Sequence, residues 1–222
     1  MTTDSVLARP PRLDFALLGV AVAAISASAP IIAAIAAPAL AIAFWRCILG
    51  AGATGAWVAL RQRSEISRLT WHQWRLVILA GLLLGAHFAT WIPSLRFTSV
   101  ASSTALVATQ PVWAALIARA RGVQIPGRTW VGIAIALVGV LVLTGIDASI
   151  DPRHLIGDLL ALVGAVFAAL YVSVAEVVRK TVSTATMTLG LYASSAALLL
   201  VLCVALQQSL VGYSARDWVL II

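Results

Sequence analysis

Charge is scarce in this 222-residue chain: 10% of its residues are Asp, Glu, Lys or Arg, and only eight are acidic. With 62% apolar residues there is too little polar surface to cover a soluble globule. Cysteine is limited to Cys47 and Cys203. Both fall within apolar stretches, which excludes a thiolate metal site or an extracellular disulfide framework and makes them small buried hydrophobes. Catalytic patterns are missing too. There is no His-Glu-x-x-His helix, no Gly-x-Ser-x-Gly elbow, no carboxylate at the depth of His87 and no phosphate-cradling glycine loop. These absences argue against a membrane-embedded enzyme and an ATP-driven pump, and they call for no cofactor and no metal.

What the chain has instead is long apolar runs, with a mean hydropathy of +1.03. A run of about 18 or more apolar residues can cross a bilayer as a helix. Seven such runs are expected as helices at 14–35, 39–60, 76–95, 99–118, 130–146, 156–177 and 187–206, and an eighth begins at Asp217. The fold class is therefore all-α, a polytopic membrane protein with short loops. Ala27-Ser28-Ala29 resembles a signal-peptide cleavage site. Pro30 follows directly and the apolar character continues, so a retained first helix is the better reading.

The net charge of +7 has a definite placement. With loops assigned alternately to the two sides, Arg9, Arg12, Arg61, Arg63, Arg68, Arg75, Arg119, Arg121, Arg128, Arg179 and Lys180 share one side. Only Arg96, Arg153 and Arg216 fall on the other, while Arg46 lies within a span. Basic loops stay in the cytoplasm, so the N-terminus is expected inside, in the cytoplasmic membrane. The basic groups then set topology beside anionic lipid and do not form a nucleic-acid surface.

The chain also resembles itself at an offset of 144 residues. The segment opening at Asp14 matches that opening at Asp158, and the stretch from Thr70 through Trp74 matches that from Ser214 through Trp218. A unit of five helices is odd in number, so its second copy must enter the membrane from the opposite face. Inverted repeats of this kind are the pattern of secondary transporters, whose binding site lies near the midplane between the repeats. Two units of about 144 residues would make ten helices, and the chain reaches only the start of the eighth, so a truncated sequence is expected.

Phe44-Trp45-Arg46 in the second helix is similar to the aromatic–arginine signature of the EamA-domain permeases of the drug/metabolite transporter superfamily. The junction from Leu95 through Arg96, Phe97 and Thr98, followed by Gln110-Pro111-Val112, resembles that family's turn and its proline-bearing fourth helix. Gly132 and Gly139-Val-Leu141 suit its fifth helix. Gly157-Asp158 and Ala168-Ala-Leu-Tyr171 resemble the start of its second repeat. The resemblance implies a cytoplasmic tail at 1–13, a first five-helix repeat at 14–146, an external loop at 147–157 and an incomplete second repeat at 158–222. It also implies a permease that moves a small metabolite or drug-like solute by alternating access, with export suggested by the resemblance alone. Leu18-Gly19 stands where the family often has Trp-Gly, which removes one aromatic wall. A non-transporting scaffold or an inactive fragment is the competing class.

Ionisable groups within a span are costly and usually face a cavity or a partner. Arg46 comes out about 10 Å below the outer surface and His87 about 16 Å from the inner one, from a rise of about 1.5 Å per residue. Trp91 and Thr104 lie near the depth of Arg46, and Gln110, Ser26 and Ser28 are central. Arg46 cannot lose its charge, so it needs an acceptor: a substrate carboxylate or phosphate, or structural oxygens at a helix end. His87, Trp91, Thr104, Gln110 and Ser26 join it as candidate substrate-binding residues, each with a purely structural alternative. Pro30, Pro93 and Pro111 interrupt helices and are candidate gating kinks. Gly81 and Gly85 provide a small-residue surface for close helix contact. Glu176 is expected to pair with Arg179 or Lys180 at the inner surface. The expected partners are a small-molecule substrate, the lipid bilayer and, left open by the sequence, a second copy of the chain as a homodimer.

Overall fold

The computed structural model describes residues 12–146 and 151–222, and every regular element among them is helical. Most of the expected tail at 1–13 and residues 147–150 of the expected loop lie outside the described residues, as does the side chain of Asp14. The helices are α1 (Arg12–Ala34), α2 (Ala39–Arg61), the single turn α3 (Arg63–Ile66), α4 (Trp71–Ser94), α5 (Val100–Val107), α6 (Gln110–Ala120), α7 (Gly127–Ile146), α8 (Pro152–Val178), α9 (Thr184–Ala205) and α10 (Ala215–Ile221). Among the described residues, six stretches are long and apolar enough to cross a membrane: Phe15–Ala34, Ala39–Arg61, Trp71–Ser94, Val100–Ala120, Pro152–Val178 and Thr184–Ala205. A seventh, Gly127–Val142, is apolar and shorter.

Helix entrances are marked by side-chain caps that supply acceptors to otherwise unpaired backbone N–H groups. Thr70 and Gln73 form a reciprocal capping box at α4. Ser99, Ser183 and Ser214 cap α5, α9 and α10. At α8, Asp151 Oδ1 accepts from Arg153 N at 2.9 Å and Pro152 fills the first helical position. This cap starts α8 four residues before the expected 156, and the capping box likewise starts α4 five residues before the expected 76.

The fourth expected span is two helices, not one. Pro111 has no N–H for the carbonyl of Val107, and its ring crowds that carbonyl. The chain breaks at Ala108–Thr109, where the Thr109 hydroxyl donates to the Leu106 carbonyl at 2.6 Å. By contrast α1 runs through Pro30 without interruption, and Pro93 lies in the last turn of α4.

The heart of the bundle is the packing of α4 against α8 and α9, and of α2 against α9. At Gly81 an added Cβ would sit 2.6 Å from Ser194 Cβ and 2.7 Å from the Leu191 carbonyl. Ser195 Oγ donates to the Gly81 carbonyl at 2.7 Å across the same contact. The small-residue surface is thus the α4–α9 interface. Two apolar clusters flank it. One joins Ile32, Ile42, Cys47, Ile92, Leu199 and Ile221; the other joins Val77, Leu84, Val178, Met187 and Leu191. Outward-facing side chains are also large and apolar, among them Leu18, Val20 and Ile25 on α1 and Val131, Ile135 and Leu141 on α7. Water would penalise that surface, whereas lipid does not.

Candidate functional site

Three polar or aromatic groupings lie within the spans. The first is on α1 and α2. Arg46, half-buried, donates from Nη2 to Ser28 Oγ at 3.1 Å. No ion pair joins it to a carboxylate among the described residues. A single neutral hydroxyl leaves most of the guanidinium fork unmatched, and such a group attracts a carboxylate or phosphate strongly. Its neighbour Trp45 points elsewhere, donating from Nε1 to the Leu210 carbonyl at 2.8 Å and meeting Trp218 edge-on at 5.1 Å. The aromatic–arginine triplet therefore divides its work: the aromatic part fastens α2 to α10, and the arginine faces α1.

The second grouping joins α4 to α8. His87 is buried, with Nδ1 at 2.9 Å from the Gly164 carbonyl. A carbonyl can only accept, so Nδ1 carries the hydrogen of this bond, which fixes the ring against α8. The ring stacks on Trp91 at 5.6 Å and 13° and lies 6.4 Å from Tyr171. Trp91 Nε1 is buried without a hydrogen-bond partner, as is Asp158 Oδ1. An unpaired buried donor of this kind costs about 1–3 kcal/mol, which a bound acceptor would recover.

The third was not legible in the sequence. A cavity of about 480 Å³ opens between α4, α8 and α9, walled by Phe88, Tyr171 and Tyr192, with Glu176 and Arg179 at one end. Glu176 does not pair with Arg179 or Lys180 among the described residues, which corrects the expected surface ion pair. The two charges line the cavity separately, Glu176 in the last turn of α8 and Arg179 at its C-cap. Tyr171 lies on α8 and Tyr192 is the lone aromatic of α9, and only the packing reveals that they share a space. Gly50 makes room for Tyr192, since a Cβ there would come within 2.8 Å of its ring.

The structure thus brings His87 to Trp91 and Arg46 to Ser28. It does not bring every candidate together. Ser26 is exposed, because two residues along a helix turn it to the face opposite Ser28. Thr104 is exposed on α5, and half-buried Gln110 opens α6 beyond the break. The described residues hold no cluster of His, Cys, Asp or Glu suited to a metal.

Comparison with known proteins adds a family and a fold. Residues 15–145, more than half of the chain, match the EamA-like transporter family. One solved structure, described only as the crystal structure of a protein, is similar with a TM-score of 0.62 at 24% identity, covering 88% of this chain and 67% of its own. That likeness concerns the fold alone. No curated protein matches the chain.

Proposed function

We propose, from the premise that this chain belongs to the EamA-like transporter family, that it is a secondary transporter moving a small metabolite or drug-like solute across the cytoplasmic membrane. The family is one of transporters and not of enzymes. The proposed mechanism is alternating access between two inverted five-helix units, with the N-terminus in the cytoplasm and transport directed outward. The distribution of basic loops supports the orientation.

Two clasps support the inverted arrangement. In the loop between α2 and α4, the Glu65 carboxylate accepts from Ser183 N at 2.7 Å, at the turn between α8 and α9. After α9, in the first turn of α10, Asp217 Oδ1 accepts from Ala36 N at 2.9 Å, at the turn between α1 and α2. Each half thus sends a carboxylate to the first turn of the other half, as a two-fold axis in the membrane plane requires.

The observation that carries the substrate reading is Arg46, a permanent charge inside a span whose one hydrogen-bond partner among the described residues is the Ser28 hydroxyl. It points to a solute bearing a carboxylate or phosphate, anionic or zwitterionic. His87 and Trp91 form a second face of the proposed path, and the break at Pro111 is the proposed bending point. The test is transport by purified protein in liposomes. Arg46→Ala is expected to lower transport about tenfold or more, the cost of losing a charge-assisted hydrogen bond to the solute. Undiminished transport by that variant would remove Arg46 from the path, and hydrolytic turnover of a lipid or peptide by the same preparation would overturn the transporter reading.

A further inference from the structure

Of the 15 basic residues, only Arg96, Arg153 and Arg216 sit on the side where basic loops are disfavoured. Two of these three come together. Arg153 donates from Nη2 to the backbone carbonyl of Arg96 at 3.2 Å, and its guanidinium lies over the Phe97 ring at 5.9 Å. Between them is a cavity of about 390 Å³, lined by Arg96, Phe97, Thr98, Ser99, Asp151, Arg153 and His154. It is separate from the Arg46 and His87 groupings, at the end of the bundle where α8 begins.

The charge balance of this cavity is uneven. Arg96 directs Nη2 to the carbonyls of Ile35 and Ala37, which are neutral partners. Among the described residues, Arg153 likewise meets a carbonyl and a ring. Asp151 is the one carboxylate of the lining among the described residues, and its Oδ1 accepts from Arg153 N as the cap of α8. Neither guanidinium group is paired with an acid among the described residues. The walls are also fixed. Gly157 presses α8 so closely on the 97–98 backbone that a Cβ would lie 2.7 Å from Thr98 N. The N-termini of α5 and α8 converge here and add to the positive potential.

We infer that this cavity binds a phosphate group, carried either by a free solute or by the headgroup of an anionic lipid at the membrane edge. Forked guanidinium groups match tetrahedral oxyanions with parallel hydrogen bonds, and the cavity has room for the anion with part of its hydration.

The test uses two probes. Equilibrium binding of radiolabelled inorganic phosphate to the protein in neutral detergent reads the free anion. Native mass spectrometry from phosphatidylcholine nanodiscs containing phosphatidylglycerol reads the headgroup. Saturable binding of either probe is expected, weakened about tenfold or more in Arg153→Gln by loss of a charged donor pair. Arg216→Gln, which removes the third cation of that side but lies outside the cavity, is expected to bind as the parent does. Arg153→Lys keeps the charge without the fork and should fall between. Binding of phosphate alone assigns the site to a solute, and binding of phosphatidylglycerol alone assigns it to lipid. Absence of saturable binding of both, indifference to Arg153→Gln, or equal weakening by Arg216→Gln would each overturn the inference.

Discussion

Glu65 shows what one side chain outside the membrane contributes. Desolvation at the loop raises its pKa, but the Ser183 and Thr186 hydroxyls and the Ser183 N–H outweigh that effect and hold it below the ordinary glutamate value. A carboxyl whose folded pKa is lowered stabilises the fold above its unfolded pKa, and that stabilisation is lost as pH falls through the folded value. Thermal stability in detergent is therefore expected to decline on acidification below the ordinary glutamate range. In Glu65→Gln part of that decline should vanish, while the variant is already weaker at neutral pH. An unchanged pH profile would show that the clasp is not formed. Arg46 was legible at this scale because an intramembrane arginine is conspicuous in sequence. The partnership of Glu65 with Ser183, 118 residues away, was not, because nothing local to Glu65 distinguishes it from a surface acid.

At the scale of the element, apolar length gave the helices, and capping residues gave their true starts. Thr70 with Gln73 and Asp151 with Pro152 are readable as helix entrances, yet hydropathy alone placed both starts several residues late, because polar first turns dilute the apolar window. The division at Thr109 follows from Pro111 in the same direct way. What one helix presents to another is harder to read. Gly81 and Gly85 signalled a close contact, but only the structure identifies α9 as the partner. Gly81→Ala is expected to destabilise the protein by about 1–3 kcal/mol, since its methyl group would meet backbone that cannot swing aside. Gly52→Ala on α2, where a Cβ meets nothing, is expected to leave stability unchanged or slightly raised. Thermal inactivation of the two variants in the same detergent makes the comparison, and equal behaviour would contradict the α4–α9 contact.

The whole molecule is governed by a bilayer's preferences. Large apolar side chains face outward from α1 and α7 while Ser103, Ser195 and His87 are buried, and so wide an exposed apolar surface suits lipid better than water. The long apolar helices were legible in sequence because apolar length is a sum over many residues. The aromatic cavity of Tyr171 and Tyr192 was not, since it exists only where α4, α8 and α9 meet. In the proposed topology α4, the α5–α6 span and α7 each cross the membrane between Arg63 and Asp151, an odd number, which would put the two positions on opposite faces. Single cysteines at these sites, in a background with Cys47 and Cys203 replaced, can be reacted with a membrane-impermeant maleimide in right-side-out and inverted vesicles. Arg63→Cys is expected to label only in inverted vesicles and Asp151→Cys only in right-side-out ones; labelling of both from the same side would contradict the three crossings and, with them, the transport path built on Arg46.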